Sequence, residues 1–191
     1  LTHPFFHKST WPSRNLMLVG NFNITNADAL NKKLVERGTH PIFSSDTQSI
    51  MEEICYHLDI EHSEIYRKLR DEGLGGVDVL RVMAERLNPV DIVRKAALDW
   101  DGGYTIAGLL GNGDAFVLRD RNGIRPCFYL QNDELIAFAS ERVALMTIFD
   151  ETAEDIKELA PGHVFVIKGD GSVRDEEYVS AGEKKYWLFV R

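Results

Sequence analysis

At Gly102 the chain changes period, and that change constrains its fold more than any other feature. Upstream, apolar residues recur at helical spacing. Downstream, they come in short runs parted by turn formers. Leu16 to Val19 reads as a short buried strand that ends at Gly20 in a loop. Thr25-Asn26-Ala27-Asp28 can cap a helix carrying Leu30, Leu34 and Val35, which Gly38 ends. Ser45-Asp46 opens a second helix, with Ile50, Ile54 and His57-Leu58 on one side. Ser63 caps a third segment to Leu69, which Gly-rich DEGLGG breaks. Val77 to Leu87 and Val90 to Leu98 complete the helices, the last opened by Pro89. Then GYTIAGLL, AFVLRD, CFYL, LIAFAS and HVFVI read as strands, linked by GNGD, QNDE and KGDG turns. A short helix starts at Ser140-Glu141. This order predicts an α+β architecture with helices on the faces of antiparallel sheets.

A chain of 191 residues buries roughly 70% of its unfolded surface and needs no staples. No apolar run approaches the ~20 residues of a membrane span, and no signal-peptide pattern opens the chain. We therefore expect no membrane association. A net charge of −8 argues against a nucleic-acid surface. Cys55 and Cys127 have no CxxC partner and are expected to be buried and reduced, which suits the cytoplasm. The six histidines form no metal-ligand spacing, and His3-Pro4-Phe5-Phe6-His7 cannot place its histidines on one helix. No phosphate-binding glycine loop is present. The chain opens without methionine and closes abruptly on KKYWLFVR, so it is expected to be a piece of a longer protein.

Four short stretches carry residues suited to chemistry. Gly20-Asn21-Phe22-Asn23 follows a strand, where backbone N–H groups and a carboxamide can stabilise an oxyanion. The simpler reading is a loop of turn formers. Ser44-Ser45-Asp46-Thr47 caps a helix, or uses Asp46 to hold the amino group of a small substrate. Gly102-Gly103 permits close backbone approach. Ala139-Ser140-Glu141 reads as a helix start capped by Ser140. The stretch RDRNGIRPCFY, Arg119 to Tyr129, reads as a hairpin turning at Asn122-Gly123, with Arg119 and Arg125 able to pair with Asp120.

Together, GNFNITN, SDTQ, GGYTIAGL, RDRNGIRP, ASERVAL and LAPGHVFVI run in the order that resembles the glutaminase domain of the glutamine phosphoribosylpyrophosphate amidotransferases. The resemblance runs from His3 to about Ile167. It implies the four-layer αββα sandwich of the N-terminal-nucleophile hydrolases, incomplete at its N-terminal end. A partial class II amidotransferase domain would span residues 1–180, and residues 181–191 would start a linker or a following strand. In the family an N-terminal cysteine attacks the glutamine amide, with its own amino group as base. The ammonia released aminates phosphoribosyl pyrophosphate in purine synthesis.

Carried over residue by residue, Asn21 and Phe22 form the oxyanion hole. Asp46 holds the glutamine α-amino group, and His3 follows the loop that closes over substrate. Phe22 replaces a glycine, which puts a side chain where the family has none. Gln48 replaces a glutamate. The helical region from Met51 to Trp100 is longer than the resemblance implies. Neither the N-terminal cysteine nor the arginine-bearing strand that grips the glutamine carboxylate lies within this sequence, so this chain alone is expected to be inactive. The resemblance implies no cofactor in this domain. It implies glutamine as ligand and a phosphoribosyltransferase domain in the same or a partner chain. Absence of the first strands would expose a sheet edge, so a homo-oligomer, or pairing with a separately encoded upstream piece, is expected. The alternative is a non-catalytic amidotransferase-like domain that binds a small amino acid or a partner subunit. A third reading is another hydrolase of the superfamily acting on a different amide.

Overall fold

The computed structural model describes residues 3–39 and 45–182. Its elements are β1 (Phe5–His7), β2 (Leu16–Ile24), α1 (Ala27–Glu36), α2 (Asp46–Asp71), α3 (Gly76–Arg86), α4 (Pro89–Ala96), β3 (Gly102–Leu110), β4 (Ala115–Arg119), β5 (Phe128–Gln131), β6 (Ile136–Ala139), α5 (Arg142–Phe149), β7 (Lys157–Glu158), β8 (His163–Ile167) and β9 (Val173–Glu177). Six strands form one antiparallel sheet in the order β1-β2-β3-β4-β8-β9; three form another, β6-β5-β7.

Period-two alternation makes four layers from these parts. One face of the large sheet, with Leu16, Leu18, Ile106, Phe116, Leu118 and Val164, packs on α1 to α4. Its other face, through Val117 and Phe165, meets Cys127, Tyr129 and Phe138 of the small sheet region. The far side of the small sheet, through Leu130, packs on Leu145 of α5. The layers are therefore helices, large sheet, small sheet, helix, as expected.

Helix α2 is one unbroken element of 26 residues, not two segments. Ser45 accepts a hydrogen bond from the Gln48 N–H at 3.3 Å and opens it. Ser63 is not a cap: its Oγ accepts from Arg14 Nη2 at 3.1 Å, so the hydroxyl is satisfied within the helix. Ile50, Ile54, Leu58, Ile65 and Leu69 line its buried face, each contributing roughly 1.5–3 kcal/mol. The stop lies at Gly73, whose φ of +85° lets the Leu74 N–H reach the Leu69 carbonyl.

The stretch after β4 is not a hairpin. Strand β4 pairs with β3 and β8, whereas β5 pairs with β6 and β7. Residues 120–127 therefore carry the chain from the large sheet to the small one. Arg119 and Asp120 hold this crossover, but not by pairing with each other. Asp120 is fully buried. Its Oδ1 accepts the N–H groups of Asn122 and Ile124 at 3.0 and 2.9 Å, and its Oδ2 those of Arg125 and Tyr104 at 2.9 and 3.3 Å. Arg119 reaches across to the small sheet. Its Nη1 donates to Glu158 Oε1 and to the Leu159 carbonyl, both at 2.7 Å. Its Nε and Nη2 donate to the carbonyls of Arg125 and Gly123, at 2.7 and 3.1 Å. Beneath them, Tyr178 Oη donates to the Arg119 carbonyl at 3.0 Å and so accepts from Tyr104 Oη at 2.9 Å.

Removing the Asp120 carboxylate takes the acceptor from four backbone N–H groups, one in a buried and three in partly buried hydrogen bonds. Asp120→Ala is expected to lower unfolding stability by about 3–5 kcal/mol. Asp120→Asn should recover only part of this, because its amide NH2 would face donors. Urea denaturation checks both; a loss under about 1 kcal/mol for Asp120→Ala would contradict the account.

Candidate functional site

The GNFNI stretch is strand rather than loop. Strand β2 runs on to Ile24, paired residue for residue with β3 as far as Gly102. Gly20 makes this possible, since a Cβ there would lie 2.7 Å from the Thr105 carbonyl oxygen. Alternation then decides where each candidate side chain goes. Leu16, Leu18 and Ile24 are buried on the helix side, and Phe22 packs against the same core. Val19 and Asn21 line a cleft between the sheets.

This cleft has a volume of about 260 Å³. Asn21, Thr105 and Ser140 supply its polar groups, and Val117, Cys127 and Phe138 part of its apolar wall. Asn21 and Thr105 are register partners on neighbouring strands. Thr105 Oγ1 donates to the Pro126 carbonyl at 3.2 Å, tying the cleft wall to the crossover. Ser140 was expected to cap α5. The cap position is instead Glu141, with no side-chain hydrogen bond, and Ser140 is left at the cleft.

The remaining candidates sit elsewhere. The Phe22 ring does not enter the cleft. It lies 6.1 Å from the His3 ring, which in turn packs edge-on to Phe5 at 4.5 Å. Asp46 occupies the first turn of α2, where its Oδ1 accepts the Thr47 N–H at 2.8 Å. Its Oδ2 makes no hydrogen bond among the described residues. Neither His3 nor Asp46 lines the cleft. Ser44 lies outside the described residues, as does most of the expected linker at residues 181–191.

Gly102 and Gly103 are explained by packing. A Cβ on Gly102 would lie 2.2 Å from the Asn23 carbonyl oxygen, and one on Gly103 would lie 2.6 Å from Ile124 Cγ2. The crossover thus rests directly on the cleft end of β3. Thr105 and Cys127 were not singled out for this site. Thr105 was recoverable, because it shares a face with Ala107 and Leu109 in GYTIAGLL. Cys127 was not, since its approach to Val117 depends on sheet stacking.

Both thiols are poor nucleophiles here. Burial pushes the Cys127 thiol up to about 12; the Arg119 charge opposes this and Glu158 adds to it. Burial drives Cys55 further up, with Glu52 and Asp59 adding to it. Among the described residues, no group of three or more His, Cys, Asp or Glu side chains could hold a metal ion. No described helix is long and apolar enough to cross a membrane.

Residues 91–185 match the family of class-II glutamine amidotransferases. That stretch includes the crossover and Ser140 but begins after Asn21 and Asp46. The chain is 24% identical over 163 residues to an amidophosphoribosyltransferase of Methanothermobacter thermautotrophicus, covering 85% of this chain and 28% of that protein. Two solved structures share the fold at 21% identity, each covering 93% of this chain. One is the glutamine phosphoribosylpyrophosphate amidotransferase of B. subtilis complexed with ADP and GMP (TM-score 0.64, 32% of that chain). The other is described as the allosteric regulatory enzyme of purine biosynthesis (TM-score 0.66, 31% of that chain). The α+β sandwich is therefore the fold of those two solved enzymes. This chain spans about a third or less of each relative.

The buried thiols give a direct check. Under native conditions at pH 8, a thiol-specific disulfide reagent should label neither cysteine within minutes, and both once the protein is unfolded in guanidinium. Rapid native labelling of Cys127 would contradict its placement between the sheets.

Proposed function

We propose that this chain is the glutamine-hydrolysing part of an amidophosphoribosyltransferase-like enzyme, a reading supported by the match of residues 91–185 to the class-II glutamine amidotransferases. The observation that carries this reading is the Asn21 carboxamide on the wall of a cleft between two sheets. The released ammonia would pass to phosphoribosyl pyrophosphate on a phosphoribosyltransferase domain in the same or a partner chain. Such an enzyme would work in the cytoplasm as a homo-oligomer and use no cofactor in this domain.

The chemistry follows from the residues present. A nucleophile attacks the side-chain amide carbon of glutamine, and the carbonyl oxygen becomes an oxyanion. Asn21 Nδ2 and the Phe22 N–H donate to that oxygen. The Phe22 side chain does not obstruct this, because it turns to the helix face. Asp46 accepts from the substrate ammonium. Neither cysteine of this chain suits the nucleophile's role, because burial raises both thiols.

That same observation favours a second reading, a non-catalytic domain that binds a small amino acid or a partner subunit. Glutaminase activity of the native enzyme containing this domain decides between the two. Under the first reading, Asn21→Ala lowers kcat roughly 100-fold or more with little change in KM. Asp46→Asn raises the glutamine KM about 10-fold or more with a smaller change in kcat. Absence of glutamine hydrolysis by the native enzyme would leave the binding reading; an unchanged KM in Asp46→Asn would remove Asp46 from the site.

A further inference from the structure

Ser9 to Asn15 join β1 to β2 as a strap packed on α2. The strap holds its own shape. Its Ser9 N–H donates to Asn15 Oδ1 at 2.7 Å, and a single 3-10 turn spans Pro12–Arg14. Three of its side chains grip α2. Trp11 packs edge-on against the His62 ring at 4.9 Å and the Tyr66 ring at 5.4 Å. Ser13 Oγ lies 3.0 Å from His62 Nε2. Arg14 donates to Ser63 Oγ at 3.1 Å and pairs with Asp59 at 3.4 Å. At the end of the strap the Asn15 carbonyl accepts the Gly111 N–H at 2.9 Å, just after β3.

His62 is the weak point of this grip. It is 1% exposed, and its Nδ1 is buried with no hydrogen-bond partner among the described residues. A neutral ring with its proton on Nε2 fits this site, because Ser13 Oγ accepts that proton and the orphan atom is only a lone pair. A second proton would put a charged donor at Nδ1 with no acceptor. Arg14 is the charged group that acts on the ring, and its field opposes protonation. Asp59, one turn earlier on α2, is engaged by Arg14. Of the charges on the elements around it, Glu61 of α2 pairs with Lys95 of α4, and Arg86 of α3 with Glu72. Burial first, then Arg14, lowers the imidazole from its ordinary 6.5 to about 4.

We propose that Ser9 to Asn15 form an acid-released strap, closed on α2 while His62 is neutral and lifted from it when the imidazole takes a proton. Once the strap lifts, the ring meets water and titrates near its ordinary value. Closure is therefore fully favoured above pH 6.5 and is lost as pH falls toward 4. Relative to pH 8, the ratio of closed to open strap should fall about 4-fold at pH 6 and about 30-fold at pH 5. Release uncovers Trp11 and frees the connection into β2, the strand that carries Asn21. This holds whatever reaction the cleft performs.

Acrylamide quenching of tryptophan fluorescence in the native protein, from pH 8 to pH 5, tests this, with far-UV circular dichroism recorded alongside. Quenching should rise reversibly below pH 6.5 while the helical signal stays constant. The rise should be absent in Trp11→Phe, which identifies the reporter. It should also be absent in His62→Gln, whose amide stays neutral and can still donate to Ser13. Where His62→Gln does not fold, an NMR titration of the wild-type His62 ring takes its place, and ring protonation should coincide with the rise in quenching. Unchanged quenching down to pH 5, an equal rise in His62→Gln, or a ring that protonates while Trp11 stays covered would overturn the strap. Loss of the helical signal at the same pH would overturn it too, since the whole fold would then be what opens.

Discussion

The architecture depends on one buried carboxylate. Asp120 sits where the chain leaves the large sheet, and its two oxygens accept four backbone N–H groups from the crossover and from β3. A tight irregular turn between packed layers would otherwise bury those donors without partners, at a cost of about 1–3 kcal/mol each. Arg119 completes the joint by reaching to Glu158 and Leu159 on the small-sheet side. The two side chains of one dipeptide thus perform different tasks. Asp120 sets the path of the crossover, and Arg119 sets where the second sheet lies.

Fixing that joint also builds the cleft. The crossover ends at Cys127 and delivers Phe128–Gln131 as β5, so its geometry determines how far the small sheet covers the large one. Cover is good over Val117 and Phe165 but stops short of β1 and β2. There Phe6, Met17, Val19 and Leu109 remain exposed, and Asn21 stands at the boundary. The cleft is that boundary. Polar groups collect on its rim because the strand face changes there from packed core to solvent.

Much of this was legible from residue patterns, and the failures share a cause. The strand order after Gly102 and the turns at Gly162 and Gly171 follow from local chemistry, as both glycines adopt positive φ. Asn122-Gly123 marked a turn correctly, but turn chemistry cannot say which sheet the next strand joins. The crossover was therefore expected as a hairpin. Ser63 looked like a cap because its partner, Arg14, lies 49 residues away in sequence. The GNFNI stretch looked like a loop because Gly and Asn are poor strand formers. Pairing with β3 and the close approach at Gly20 override that preference. Asn21 came from motif order, whereas its direction into the cleft came from alternation along β2. Arg125 seemed a partner for Asp120 until the structure showed that carboxylate saturated by backbone.

The most direct test of this account is amide hydrogen exchange by NMR on the native protein. If Asp120 anchors the joint, the amides of Tyr104, Asn122, Ile124 and Arg125 should exchange only through global unfolding, despite the irregular conformation of residues 121–127. Exchange of Asn122, Ile124 and Arg125 at the rate of exposed loop amides, with β3 and β4 still protected, would contradict it.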